Sequence, residues 1–134
     1  MPVASVGDES RAETVLSAED VDAFAEITGD DNPVHLDEAY ASDTMFGGRI
    51  AHGILSAGVI SAAMADLPGD VIYLSQDLQF ENPVQLGDRV VATATVEEEL
   101  GGDRIRVETV ARVPDRDEVV ISGEATALST AHEG

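Results

Sequence analysis

The chain has 134 residues, room for one ordinary domain and not for two. Apolar residues make up 43% of it, enough for a core, yet 27 Asp and Glu face only 7 basic residues, all Arg, for a net charge of −20. A surface this negative repels phosphates and excludes sequence-independent nucleic-acid binding, and the absence of Cys excludes disulfides, zinc–thiolate sites and Cys nucleophiles.

The acidic residues are spread along the chain, with only short runs such as Glu97-Glu98-Glu99. Self-repulsion on this scale is tolerable where salt screens it: the Debye length falls from about 10 Å at 0.1 M to about 3 Å at 1 M. A salt-adapted, cytoplasmic setting is therefore expected. Residues 1–9 carry neither a basic nor an apolar segment, so no secretory leader is expected.

In chain order, residues 1–12 read as a loose start or a first edge strand. Ser17-Ala18-Glu19-Asp20 has the form of a capping box, with Leu16 and Val21 placed as a hydrophobic staple. Val21, Phe24, Ala25 and Thr28 then recur on one face of a helix that Gly29 ends. Pro33 forces Asn32 out of the helical region, so Asp30-Asp31-Asn32-Pro33 reads as a loop, and residues 37–42 as a short helical turn. Ile50 to Ala65 is uncharged and almost wholly apolar or small. It is too short to span a membrane, and a helix with no polar face is expected to be buried all round. Beyond Gly69 the pattern alternates as strands do: 71–74 with 78 and 80, 90–96, 104–112 and 119–128. Turn residues separate them at Asn82-Pro83, Gly87-Asp88, Gly101-Gly102-Asp103 and Pro114 to Asp117. The expected class is α+β, an antiparallel sheet wrapped around a central buried helix.

Two segments carry polar groups suited to chemistry. Asp30 and His35 flank a proline-stiffened loop, and a carboxylate facing an imidazole can hold a water and move a proton. The same spacing also fits a helix-ending turn with a solvated His. Arg49-Ile50-Ala51-His52-Gly53 leads into the apolar helix, whose free N–H groups would stabilise a developing oxyanion; Gly53 leaves that spot open. His52 alone fits a cap or core residue equally well, and Ser61 on its own fits a small packing residue. No His and carboxylate set has metal-ligand spacing along the chain, so no metal is expected. Nor is there a glycine-rich nucleotide loop.

Asp30-x-Asn32-Pro33-x-His35, followed by His52-Gly53 opening an apolar helix and by Asn82-Pro83-Val84 with Gly87-Asp88, resembles the MaoC-like (R)-specific enoyl-CoA hydratases. The resemblance runs over about residues 13–128 of a single domain, 1–134. It implies a hot-dog fold with its helix at about Gly53 to Ala65, a homodimer, and an acyl-CoA substrate near the subunit interface, with no cofactor and no membrane or nucleic-acid partner. Asp30 and His35 match the catalytic pair, the Gly53 N–H the oxyanion donor, and Ser61 a position bordering the acyl pocket. The activity implied is reversible hydration of trans-2-enoyl-CoA to (R)-3-hydroxyacyl-CoA. An acyl-carrier-protein dehydratase, a thioesterase and a non-catalytic acyl-CoA-binding domain are the competing readings. CoA phosphates sit badly against −20, and Arg49 and Arg89 are the candidates to meet them; each also fits a surface ion pair.

Overall fold

The computed structural model describes residues 1–132. Strand β1 (Glu9–Val15) opens the fold as an edge strand, and α1 (Ala18–Thr28) follows it directly. The capping box forms in both directions: the Ser17 hydroxyl accepts from the Asp20 N–H at 3.2 Å, and the Asp20 carboxylate accepts from the Ser17 N–H at 3.0 Å. Leu16 and Val21 are both buried, as a staple requires. Gly29, at φ 80°, closes α1 with its N–H on the Ala25 carbonyl.

Pro33 starts a helix as readily as it ends one, because its fixed φ suits the first helical position. The expected loop is therefore shorter than foreseen: α2 (Pro33–Leu36) is a single turn capped by Asn32, and α3 (Glu38–Ser42) is a second turn capped by Asp37. Helix α4 (Gly53–Ala65) is the long apolar one.

Strands β2 (Asp70–Gln76), β3 (Gln79–Phe80), β4 (Arg89–Gly101), β5 (Arg104–Val113) and β6 (Glu118–Thr130) complete one antiparallel sheet. Its order is β1-β4-β5-β6-β2, with β3 also on β6. Helix α4 touches β1, β4, β5 and β2. A helix of 13 residues, about 20 Å long, reaches that many strands because the sheet curls around it. The strand faces turned to α4 are small: Val90, Ala92, Ala94 and Val96 on β4; Ile105, Val107, Ala111 and Val113 on β5; Ile121, Ala125 and Ala127 on β6. Small side chains let the sheet come close enough to bend. The Ser10 hydroxyl also donates to the Ala63 carbonyl, tying β1 to α4.

One expectation is corrected. Helix α4 is not buried all round within the chain: Ile54 is 58% exposed, and Gly58, Ser61, Ala62 and Ala65 are exposed with it. The sheet covers one side only. Among the described residues no helix is long and apolar enough to cross a membrane.

The Ser17 N–H and hydroxyl hold the Asp20 carboxyl below its ordinary value. The box therefore contributes stability above that ordinary value and loses it as pH falls through the lowered one. Ser17→Ala should lower Tm by about 3–5 °C at neutral pH, and the difference from the parent should shrink in acid; calorimetry at both pH values checks it.

Candidate active site

The turn of α2 sets His35. Its Nδ1–H donates to the Ile50 carbonyl at 2.8 Å, since a carbonyl can only accept. In the neutral ring Nε2 then holds the lone pair. The segment from Arg49 to His52 is held against α2 and the Asn82–Val84 loop: the Ile50 N–H donates to the Val34 carbonyl at 3.3 Å, and the Ala51 N–H to the Val84 carbonyl at 2.8 Å. His52 is 1% exposed, and its Nε2–H donates to the Asp30 main-chain carbonyl at 2.9 Å. Its ring lies on the His35 ring, centroids 4.0 Å apart and planes 30° apart, with Phe24 on it at 4.7 Å. The exposed Asp30 carboxylate stands beside these rings. One oxygen of it, one His35 nitrogen and one His52 nitrogen all lie within 4.8 Å of one another.

That cluster corrects the sequence reading, which found no His and carboxylate set at metal-ligand spacing. Residues 30, 35 and 52 are too scattered along the chain to show it. As a donor set it is partly spent: one nitrogen of each imidazole already serves a main-chain carbonyl.

His52 of this group is also the residue at which α4 begins. Helices α1, α2 and α3 each have a side-chain cap, from Ser17, Asn32 and Asp37, whereas α4 has none. Its first N–H groups have no partner within the helix, and the positive end of its dipole is left open to an anionic oxygen. Gly53 leaves room there for the Phe80 ring. A Cβ on it would come within 2.6 Å of the Phe80 ring.

A cavity of about 560 Å³ is lined by His35 of that cluster and by Gly53, Ser56, Phe80, Val120 and Ile121 among others. It is mostly apolar. Ser56 is the exception: it is 1% exposed, and its hydroxyl has no hydrogen-bond partner among the described residues.

The structure thus brings Asp30 to His35, and His35 and Gly53 to one cavity, and separates the other expected residues from them. Ser61 is exposed on α4 and does not line this cavity. Five residues from Ser56, it is rotated about 140° around the helix, so of these two serines only Ser56 faces this cavity. Arg49 is turned inward, donating to the His35 carbonyl at 2.7 Å and to the Asp22 carboxylate at 2.8 Å. Arg89 lies between Glu13 at 3.0 Å and Asp115 at 3.8 Å. Both guanidinium groups are thus paired with carboxylates in this chain. The sequence missed Ser56, Phe80 and the work of His52 and Arg49. Only the i, i+3 spacing of Gly53 and Ser56 on an apolar helix pointed to any of them.

Residues 4–116 match the family model described as a MaoC like domain. A 3-hydroxybutyryl-CoA dehydratase of Methylorubrum extorquens is 48% identical over 112 residues, 82% of this chain and 71% of that protein. An (R)-specific enoyl-CoA hydratase of Rhodospirillum rubrum is 42% identical over 125 residues, 91% of this chain and 85% of that protein. Among solved structures, an unliganded R-hydratase from Pseudomonas aeruginosa superposes with a TM-score of 0.88 at 38% identity, covering 98% of this chain and 88% of that one.

Arg49→Gln removes donors from the His35 carbonyl and should cost about 1–3 kcal/mol of stability, the cost of an unmet inner acceptor. Arg89→Gln, at a half-exposed pair, should stay within about 0.5 kcal/mol of the parent. Urea denaturation of both variants checks the order.

Proposed function

The chain belongs to the MaoC-like domain family, and from that premise we propose that Asp30, His35 and the α4 N-terminus carry its reaction. The protein is a hydro-lyase that adds water reversibly and (R)-specifically to the 2,3 double bond of an enoyl-CoA, giving (R)-3-hydroxyacyl-CoA. The observation that supports these residues is their placement: His35, with the Asp30 carboxylate beside it, and Gly53, at an uncapped helix N-terminus, where both His35 and Gly53 line one mostly apolar cavity.

The acyl chain lies in the cavity with its thioester oxygen at the Gly53 N–H. A water is held between the Asp30 carboxylate and His35 Nε2. As the water oxygen bonds to C3, Nε2 takes its proton. The π electrons move toward the thioester, where the Gly53 N–H and the helix dipole stabilise the enolate oxygen. The proton taken from water then returns to C2, the enolate collapses, and His35 is neutral again. Atoms balance with no further reactant. The CoA phosphates are not assigned to Arg49 or Arg89, whose guanidinium groups are engaged elsewhere.

The active form we propose is a homodimer. Besides the exposed side of α4, β2 is an edge strand, and Ile72 on it is 51% exposed and Leu74 49%. A second copy would cover the side of α4 that the sheet leaves open, and Ser61 with it.

With crotonyl-CoA in molar KCl, enoyl absorbance should fall with no release of free thiol. Thiol release would mean a thioesterase, and neither change a binding module. Asp30→Asn and His35→Ala should each lower kcat by about 10²-fold or more while remaining folded; parental turnover in either would remove that residue from the pair. Light scattering over a KCl series should give a dimer in molar salt that dissociates as salt falls to 0.1 M, where the screening length is about threefold longer. Activity should fall with it. A fully active dimer at 0.1 M would sink the salt dependence, and a fully active monomer the shared site.

A further inference from the structure

We propose that His52 is a positioning residue, and that it holds the three reactive groups in register through contacts made by its ring and its backbone. The inference rests on the assignment of Asp30, His35 and Gly53 above.

Each contact reaches a different group. Asp30 sits in the loop after Gly29, exposed, with no hydrogen bond to its carboxylate among the described residues. A free loop residue would place that carboxylate poorly. The bond from His52 Nε2–H to the Asp30 carbonyl, at 2.9 Å, fixes the backbone that carries it. His35 is fixed in its plane by Ile50 but needs a wall against tilting. The His52 ring supplies it at 4.0 Å, itself backed by Phe24 from α1. Gly53 follows His52 directly, so the ring that sets Asp30 and His35 also sets where α4 begins.

Burial makes the arrangement stiff. At 1% exposure the His52 ring has little room to change rotamer. Among the described residues the ring's only hydrogen bond is the one to Asp30, and Nδ1 has no partner. A residue kept only for capping would bond an N–H of α4, and His52 caps nothing with its side chain. A residue kept only for packing would not need a nitrogen aimed at a main-chain carbonyl. Small errors of position are expensive in such a site: a displacement of about 1 Å can cost about 10²-fold in rate.

The variants separate the contacts. His52→Phe keeps a ring against His35 and loses the donor to Asp30. His52→Gln keeps an N–H near the Nε2 position and loses the ring. In crotonyl-CoA hydration, His52→Phe should lower kcat at least about tenfold with KM changed less than about twofold, because it misplaces reacting groups without touching substrate. His52→Gln should recover part of that loss. Long-range ¹H–¹⁵N spectra of the unmodified protein at pH 8 should show His52 protonated at Nε2 and His35 at Nδ1, a readout independent of whether a variant folds. Parental kcat in folded His52→Phe, a loss no larger than the loss of folded protein, or His52 carrying its proton on Nδ1 would each overturn the inference. If Asp30→Asn and His35→Ala lose turnover while His52→Phe keeps it, the site stands and His52 alone is released from it. If Asp30→Asn and His35→Ala both keep turnover, the site falls and this inference falls with it.

Discussion

Helix α4 is apolar on every side, and covering it is the constraint on which the rest of the structure depends. Each fully buried Ile or Met on it, such as Ile60 and Met64, is worth about 1.5–3 kcal/mol. A flat sheet would reach only one stripe of the helix. The small residues facing α4 on β4, β5 and β6 let the sheet curl, and β1 and β2 then close on the helix from opposite edges. The curl does not close completely. It leaves one exposed side of α4, which a second copy would cover, and one open end, where the helix N-terminus meets the cavity.

That open end is where stability is given up for chemistry. An N-cap Ser, Thr, Asp or Asn stabilises a helix by about 1 kcal/mol, and among the described residues the chain uses one at each of the other three α-helices. At α4 the position holds His52, whose side chain turns away to Asp30. The free N–H groups are then left for a ligand oxygen. The Phe80 ring on Gly53 keeps a side chain out of the same space. A cap would remove the donors, and a Cβ at position 53 would displace the ring.

Elements that depend on neighbours a few residues apart are legible from local signals. The Ser17–Asp20 box, the Gly29 stop and the alternation along β4 to β6 are of this kind, and each forms as expected. The Asp30-x-Asn32-Pro33-x-His35 and His52-Gly53 motifs likewise mark the elements that meet at the cavity. What could not be read depends on tertiary distance. Ser56 and Ser61 look equivalent on a helix without a polar face, and only the packed sheet decides which one turns inward. Arg49 looks like a free cation until Asp22 and the His35 carbonyl are seen on either side of it. The three-way cluster of Asp30, His35 and His52 spans 22 positions and exists only once α2 and the Arg49–His52 segment lie together.

The same tertiary view bears on how a chain of net charge −20 holds a phosphate-bearing substrate. Arg11, Arg49, Arg89, Arg106 and Arg116 each lie within 4.0 Å of a carboxylate. On Arg116, Asp88 and Glu118 raise the guanidinium pKa above its ordinary value. Arg104 and Arg112 are exposed on the strand face of β5 that points away from α4. The cations are thus committed to holding acidic neighbours or turned from the cavity. In the site proposed above, the mostly apolar cavity and the N–H groups at the α4 N-terminus would supply binding energy, the latter favouring a negative oxygen without adding a side-chain charge. Apolar burial is insensitive to the long-range repulsion that salt screens.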